Sequence, residues 1–187
     1  MTNEISKMGI SQQVDLEKGA GISPGLGFST HYEIECFGAD GTLKWVEEFD
    51  NLVVNVGLDD NLDKYFKGSA YTAAFYVGLT DEAPVTVAAG DTMATHAGWN
   101  EAVPYSDANR PTLALGTVSG QSVDNSASKA VFNINATDTV GGAFLTTDNT
   151  KSGTSGTLYG GGAFAADKSV TSGDTLNVTI TLTAAAV

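Results

Sequence analysis

The sequence is poor in cysteine and in basic residues, and each shortage excludes certain kinds of site or partner. Its one cysteine, Cys36, excludes an intrachain disulfide and any zinc or iron–sulfur site built from four cysteines of one chain. Nine lysine and arginine residues face 22 acidic ones, a formal net charge of -13. Because binding to a nucleic-acid backbone or to an anionic membrane relies on clustered cations, we expect neither partner.

Long apolar runs are also missing. The first residues, MTNEISKMGISQQ, lack the apolar core of a signal peptide, and no stretch approaches the roughly 18 apolar residues of a membrane span. These features predict synthesis and folding in a cytoplasm. With 187 residues, 42% of them hydrophobic, the chain has the length of one domain and enough apolar material for a core.

Polar and glycine-rich sequence fills residues 1–28, which we interpret as an extended N-terminal arm. The scattered apolar residues of this segment fit neither a helix nor a strand for long. Such residues make most sense if they dock on another subunit or another protein. The residues that would dock are Ile5, Met8, Ile10, Val14 and Leu16.

Residues 29–187 are predicted to form a mainly β domain, an antiparallel β-sandwich or barrel with one or two short helices. THYEIECF alternates, with Tyr32, Ile34 and Cys36 on one face, and GADG then leads into TLKWVEEF as in a hairpin. After Pro111, five short β-type runs are separated by turn residues, a spacing typical of sandwiches and barrels. The last run points four residues inward: Leu176, Val178, Ile180 and Leu182.

Two segments have helical features instead. In NLVVNVGLDDNLDKYFKG, Leu58, Leu62 and Tyr65 or Phe66 recur at helical spacing, which predicts one amphipathic helix. GDTMATHAG offers Asp91 as an N-cap and a glycine as a stop, which predicts a short second helix.

Motifs for catalysis are absent from the sequence. His96 is the sharpest candidate because histidine titrates near neutrality, but the other histidine, His31, is distant and neither has zinc-ligand spacing. We favour a structural role, in which His96 caps the short second helix and packs on Trp99. There is no G-x-S-x-G motif, and Cys36 shares the inward face of its strand. The glycines of YGGGAF are expected to permit a bulge or a close backbone approach rather than to bind phosphate. We therefore predict no enzyme activity, no cofactor and no metal site.

Two groups of residues leave binding roles open. The carboxylates of the predicted helix and the following acidic loop are best interpreted as a solvated face, with a weak calcium site at a loop or subunit junction as the alternative. Several aromatic residues are either part of the core or an exposed platform for a glycan or a protein partner. These aromatic residues are Tyr71, Trp99, Tyr105 and Tyr159.

The order of several short motifs resembles small structural proteins of tailed bacteriophages. The motifs are NLVVNVGLDDNLDKYF, YVGL before an acidic loop, HAGW with Tyr105, the pair Arg110–Pro111, GGAFL and the closing GDTLNVTITL. The resemblance spans about Asn51 to Val187, and each motif alone is of low specificity.

The resemblance implies a non-enzymatic virion protein, which agrees with the missing catalytic motifs. Our first interpretation is a capsid decoration, or cement, protein on the capsid surface, bound through its N-terminal arm to the major capsid protein. Oligomerisation, for example as trimers at symmetry axes of the shell, would help it to bridge subunits. The alternative is a tail, fibre or collar protein whose β domain binds a host glycan receptor. A cell-wall or capsule hydrolase would require two carboxylates facing each other across a cleft.

Overall fold

The computed structural model describes residues 26–70, 74–81 and 84–186. These residues form two packed antiparallel sheets, which confirms the predicted mainly β fold. The predicted arm, residues 1–28, lies outside the described residues except for its last three, which belong to the first strand. In chain order the elements are β1 (Leu26–Phe37), β2 (Leu43–Asp50), β3 (Leu52–Val53), α1 (Asn55–Tyr65), β4 (Phe75–Thr80), β5 (Glu101–Ala102), β6 (Thr112–Leu113), β7 (Ser122–Asp124), β8 (Ala130–Asn133), β9 (Asp138–Thr146), β10 (Leu158–Val170) and β11 (Thr175–Ala186).

The first sheet is organised around the long pair β1 and β11. Their register runs without interruption from Leu26 opposite Ala186 to Phe37 opposite Thr175. β2 pairs with the free edge of β1 as the predicted hairpin, and the Gly38 N–H donates to the Thr42 carbonyl at 2.8 Å in the turn. β7 and β8 both pair with the other edge of β11. The two chain ends of the described domain are therefore bound side by side in one sheet.

The main core lies between the two sheets, and the inward-facing residues of β1 and β11 form the centre of the layer that the first sheet contributes. Tyr32, Ile34 and Cys36 are fully buried, as predicted. Leu182, the last predicted inward residue of β11, is only half-buried. From the second sheet, alternate residues of β4 and β9 meet this layer: Val77, Leu79, Ala143 and Leu145.

A second, smaller core covers the outer face of the second sheet, whose order is β3, β10, β9 and β4, with β5 and β6 both on β4. Phe144 points to this side and packs with Trp99 and Met93 from the loop that follows β4, and with Val54 and Leu158. β9 is consequently buried on both faces over most of its length. The loop that carries HAGW is therefore part of the folded body.

The predicted second helix is wrong. Residues 90–98 form turns closed by a bridge between Thr92 and Thr95, whose backbone N–H and C=O groups bond to each other at 2.9 and 3.2 Å. The Asp91 carboxylate caps no helix. It accepts the Ala88 N–H at 2.9 Å and the Trp99 indole N–H at 3.4 Å. Burial of Met93 and Trp99 against the sheet fixes this loop more strongly than local helix signals.

The glycine run of β10 does permit a close approach between backbones. The register between β9 and β10 shifts between Leu158 and Gly160. A side chain at Gly160 would overlap the Leu52 carbonyl of β3, so only glycine allows the two strands to pair here.

The predicted amphipathic helix is present as α1, which connects β3 to β4. Within the described residues, no helix has the length and apolar character needed to span a membrane.

Candidate functional site

The packing of α1 on the second sheet determines which of its faces remains free. The Val54 N–H donates to the Tyr159 carbonyl at 3.1 Å, and the Asn61 amide donates to the Tyr159 hydroxyl at 3.1 Å. A side chain at Gly57 would overlap the same Tyr159 carbonyl. The helix thus contacts β10 through its small and polar side, at Gly57 and Asn61, one turn apart. Its apolar side is left facing outward.

The apolar helix face consists of Leu58, Leu62, Tyr65 and Phe66, together with Phe28 of β1. An amphipathic helix normally turns such residues to the core. Here Tyr65 is 82% exposed and Phe66 is 69% exposed. Between them and Phe28 runs a groove of about 630 Å³ that is lined by these five residues and Asn61.

A second groove, of about 340 Å³, continues from the first. Phe28 and Asn61 line both grooves, and Val118, Leu182 and Ala184 extend the second one along β11. Val118 is 69% exposed although it is apolar. This contiguous apolar surface is the candidate interaction site of the chain.

The two lysines beside the apolar helix face are both paired with carboxylates of α1. Asp63 and Lys67 form an ion pair at 2.7 Å, and Asp60 lies 4.0 Å from Lys64. The pKa of the Asp63 carboxyl is lowered, first by its hydrogen bond with Lys67 and then by Ser69. The face can therefore approach an apolar partner without burying an unpaired lysine.

His96, the sharpest candidate for chemistry, packs on Trp99 as predicted, but the short helix that it was predicted to cap is absent. Its ring stacks on Trp99 with centroids 3.8 Å apart and an interplanar angle of 17°. Its Nδ1 lies 2.9 Å from the Trp99 carbonyl oxygen. Trp99 in turn contacts Phe144, with ring centroids 4.8 Å apart. His96 thus covers the second core.

Of the two interpretations of the aromatic residues, the core applies to three of the four and the exposed platform to none of those three. Trp99, Tyr105 and Tyr159 are buried, with at most 7% exposure each, and Tyr71 lies outside the described residues. Tyr105 packs edge-on against Phe132, with ring centroids 4.9 Å apart, and Tyr159 packs against Phe75 at 5.7 Å. Burial also raises the pKa of both tyrosines. Among the described residues, the most exposed aromatic side chains are those of Tyr65 and Phe66, which the helical spacing had placed on α1 without a binding role.

The remaining candidate groups form no reactive or metal-binding arrangement in the part of the chain that the structure describes. No group of three His, Cys, Asp or Glu side chains there could hold a metal ion. Cys36 is fully buried, and burial, followed by the charge of Asp174, raises its thiol pKa to about 11. A thiol of that pKa is a poor nucleophile at neutral pH. The docking residues Ile5, Met8, Ile10, Val14 and Leu16 lie outside the described residues.

Arg110 and Glu101 form a buried ion pair near Trp99 that was not predicted from the sequence. The Arg110 guanidinium donates twice to Glu101, with Nε at 2.9 Å from Oε1 and Nη2 at 2.7 Å from Oε2. It also donates to the carbonyls of Asp148 and Gly153, each at 2.9 Å. The Arg110 side chain is completely inaccessible. In the sequence, Arg110 is distinguished only as part of the pair Arg110–Pro111, and its charge partner is not predictable from that pair.

Asp174 should make stability depend on pH in the acid range. Burial alone would raise its pKa, but hydrogen bonds from Lys44 and Thr171 outweigh burial and hold the pKa below its usual value. The stabilisation is therefore complete above the unfolded pKa of about 3.9 and is lost as the pH falls through the lower folded pKa. We expect Asp174→Asn to cost about 1.5–3 kcal/mol at pH 6.

The check is urea unfolding of both proteins between pH 6 and pH 2.5. The difference in unfolding free energy should shrink below about pH 4. A difference that stays constant across this range would contradict the assignment. Thr42→Ala, which removes the hydroxyl that donates to exposed Asp40, is the control and should have a much smaller effect.

Comparisons of the chain with family models, with curated proteins and with solved structures gave no match, so the candidate site is defined by geometry alone.

Proposed function

We propose that the chain is a non-enzymatic structural protein of a tailed-phage particle, a decoration protein that binds the outside of the head and braces adjacent copies of the major capsid protein. The observation that carries the proposal is the apolar helix face. It is an exposed aromatic ridge on a strongly acidic domain, beside the strand into which the N-terminal arm runs. The phage-like order of the motifs supports the same class of protein.

The described domain begins beside the apolar helix face. β1 begins at Leu26, and Phe28 already lines the groove on α1. The predicted arm, residues 1–28, therefore joins the domain beside the apolar helix face. β1, into which the arm runs, pairs with β11 at twelve positions. A force applied to the arm would therefore be transmitted to the first sheet. This arrangement suits a clamp between neighbouring shell subunits.

The proposed binding depends on many weak contacts. An arm that carries Ile5, Met8, Ile10, Val14 and Leu16 adds apolar contact without needing its own core. On a regular shell, contacts that are weak individually become strong when several are linked. The formal charge of -13 keeps the outward surface soluble and disfavours binding to packaged nucleic acid.

The first experiment measures the copy number of the protein relative to the major capsid protein in purified particles, by quantitative mass spectrometry. A simple fraction near unity is expected for a decoration protein on the capsid lattice. A handful of copies would move the protein to the tail, fibre or collar, and absence from particles would overturn the virion proposal.

The second experiment tests the arm. Particles that lack the protein are incubated with the full chain, with a chain shortened by residues 1–25, and with a full-length chain that carries serine at Ile5, Met8, Ile10, Val14 and Leu16. Deletion ends at residue 25 because β1 begins at Leu26. We expect both altered chains to fold and neither to sediment with particles. Retained binding by either one would refute the role of the arm.

A further inference from the structure

The apolar helix face has a shape that can bind itself. Tyr65 and Phe66 form an edge-on aromatic pair, with ring centroids 4.9 Å apart, and most of both side chains is exposed. Directly beside this ridge lies the groove between α1 and Phe28. A ridge and a groove on the same face allow each copy of a protein to fill the groove of another.

We propose that the apolar helix face is the contact between copies of this chain, with Tyr65 and Phe66 of one copy seated in the groove formed by Leu58, Leu62 and Phe28 of the next. Aromatic residues beside a pocket are the usual anchors of protein interfaces. The inference concerns the chain alone and does not depend on the virion proposal.

The size of the surface fits this occupant. Covering Tyr65 and Phe66 would remove on the order of 300 Å² from water. The leucines, Phe28 and the second groove with Val118 extend the contact along the domain, toward the roughly 800 Å² per partner of a specific interface. Because Phe28 and Asn61 line both grooves, the two grooves form one continuous surface.

Charge also permits a second copy despite the acidic composition. Two faces with net negative charge would repel each other, but the nearest lysines, Lys64 and Lys67, lie beside Asp60 and Asp63 of the same helix. The side chains at the centre of the face are apolar. The two pairs leave one surplus carboxylate on α1, that of exposed Asp59, whose charge water and salt screen.

The test measures molecular mass by size-exclusion chromatography with light scattering over a roughly hundredfold range of concentration. We expect the full chain to form a small closed oligomer, with a mass that is a multiple of 19.2 kDa. Phe66→Glu and Leu62→Glu should each weaken association by about thirtyfold or more. Leu62→Gln, which adds no charge, should weaken it in the same direction.

Leu43→Glu is the matched control. Leu43 is 53% exposed and Leu62 is 56% exposed, so both substitutions place a charge at an equally accessible leucine. Leu43 pairs with Phe37, at the end of β1 opposite Phe28, about 30 Å away along the strand. This variant should keep the oligomer. Thermal unfolding followed by circular dichroism shows that each variant is folded.

Three results would overturn the inference. One is a full chain that remains a monomer at every concentration, and another is an oligomer that persists in the Phe66 and Leu62 variants. The third is a monomeric full chain that associates only after residues 1–25 are removed, because its own N-terminal segment would then occupy the groove. If the arm variants lose particle binding but still form the oligomer, the contact between copies is supported and only the arm is shown to bind particles.

Discussion

Replacing Arg110 with Gln should lower the free energy of unfolding by about 3–5 kcal/mol. The guanidinium is inaccessible to solvent and satisfies both carboxylate oxygens of Glu101, which is itself almost fully buried. Without Arg110, Glu101 keeps a buried charge, and the carbonyls of Asp148 and Gly153 lose their donor. An unpaired buried charge costs far more than the net value of the pair that it leaves.

Lys67→Gln is the control for this prediction because it also removes the cation of an ion pair with a 2.7 Å contact. That pair is largely exposed, so its loss should change the unfolding free energy far less than the loss of Arg110. Urea unfolding of both variants gives the comparison. Adding Glu101→Gln to the Arg110 variant should recover part of the loss, since the buried charge disappears. Equal effects of the Arg110 and Lys67 substitutions would contradict the role assigned to the pair.

The sheet was predictable from sequence because the strands of the first sheet alternate. Apolar residues recur at every second position of β1, from Tyr32 to Cys36, and of β11, from Leu176 to Ile180. That period predicts that they share one face, and they are buried in the core. The helix was also predictable from its spacing. The exposure of Leu62 was not, because periodicity identifies an apolar side but not whether anything in the chain covers it.

The missed features depend on contacts between residues far apart in sequence. The loop with His96 carries helix signals, yet Trp99 packs on Phe144 of β9 and determines its conformation. Arg110 acquires its partners from β5 and from the loop between β9 and β10. Aromatic composition alone could not distinguish buried Tyr105 from exposed Tyr65. In each case tertiary packing outweighs the local pattern.

Phe144→Ala should destabilise the fold by about 3–5 kcal/mol, because it leaves a cavity at the centre of the second core. The ring contacts Trp99, and the Arg110 guanidinium lies 5.2 Å from its centroid. It is also packed directly over Gly78, its register partner on β4. A methyl group on Gly78 would overlap the ring, so Gly78→Ala should cost about 1–3 kcal/mol by overpacking.

The double variant separates this explanation from a general sensitivity of the strands. The methyl group added at Gly78 would enter the space that the ring leaves, so the combined loss should fall short of the sum by about 0.5–3 kcal/mol. Gly90→Ala is the matched control, because a methyl group there would contact nothing within 4 Å, and it should change stability little. Chemical unfolding of the unaltered chain and of the four variants gives the comparison. Strict additivity of the two losses would mean that Gly78 is required for a reason other than the Phe144 ring.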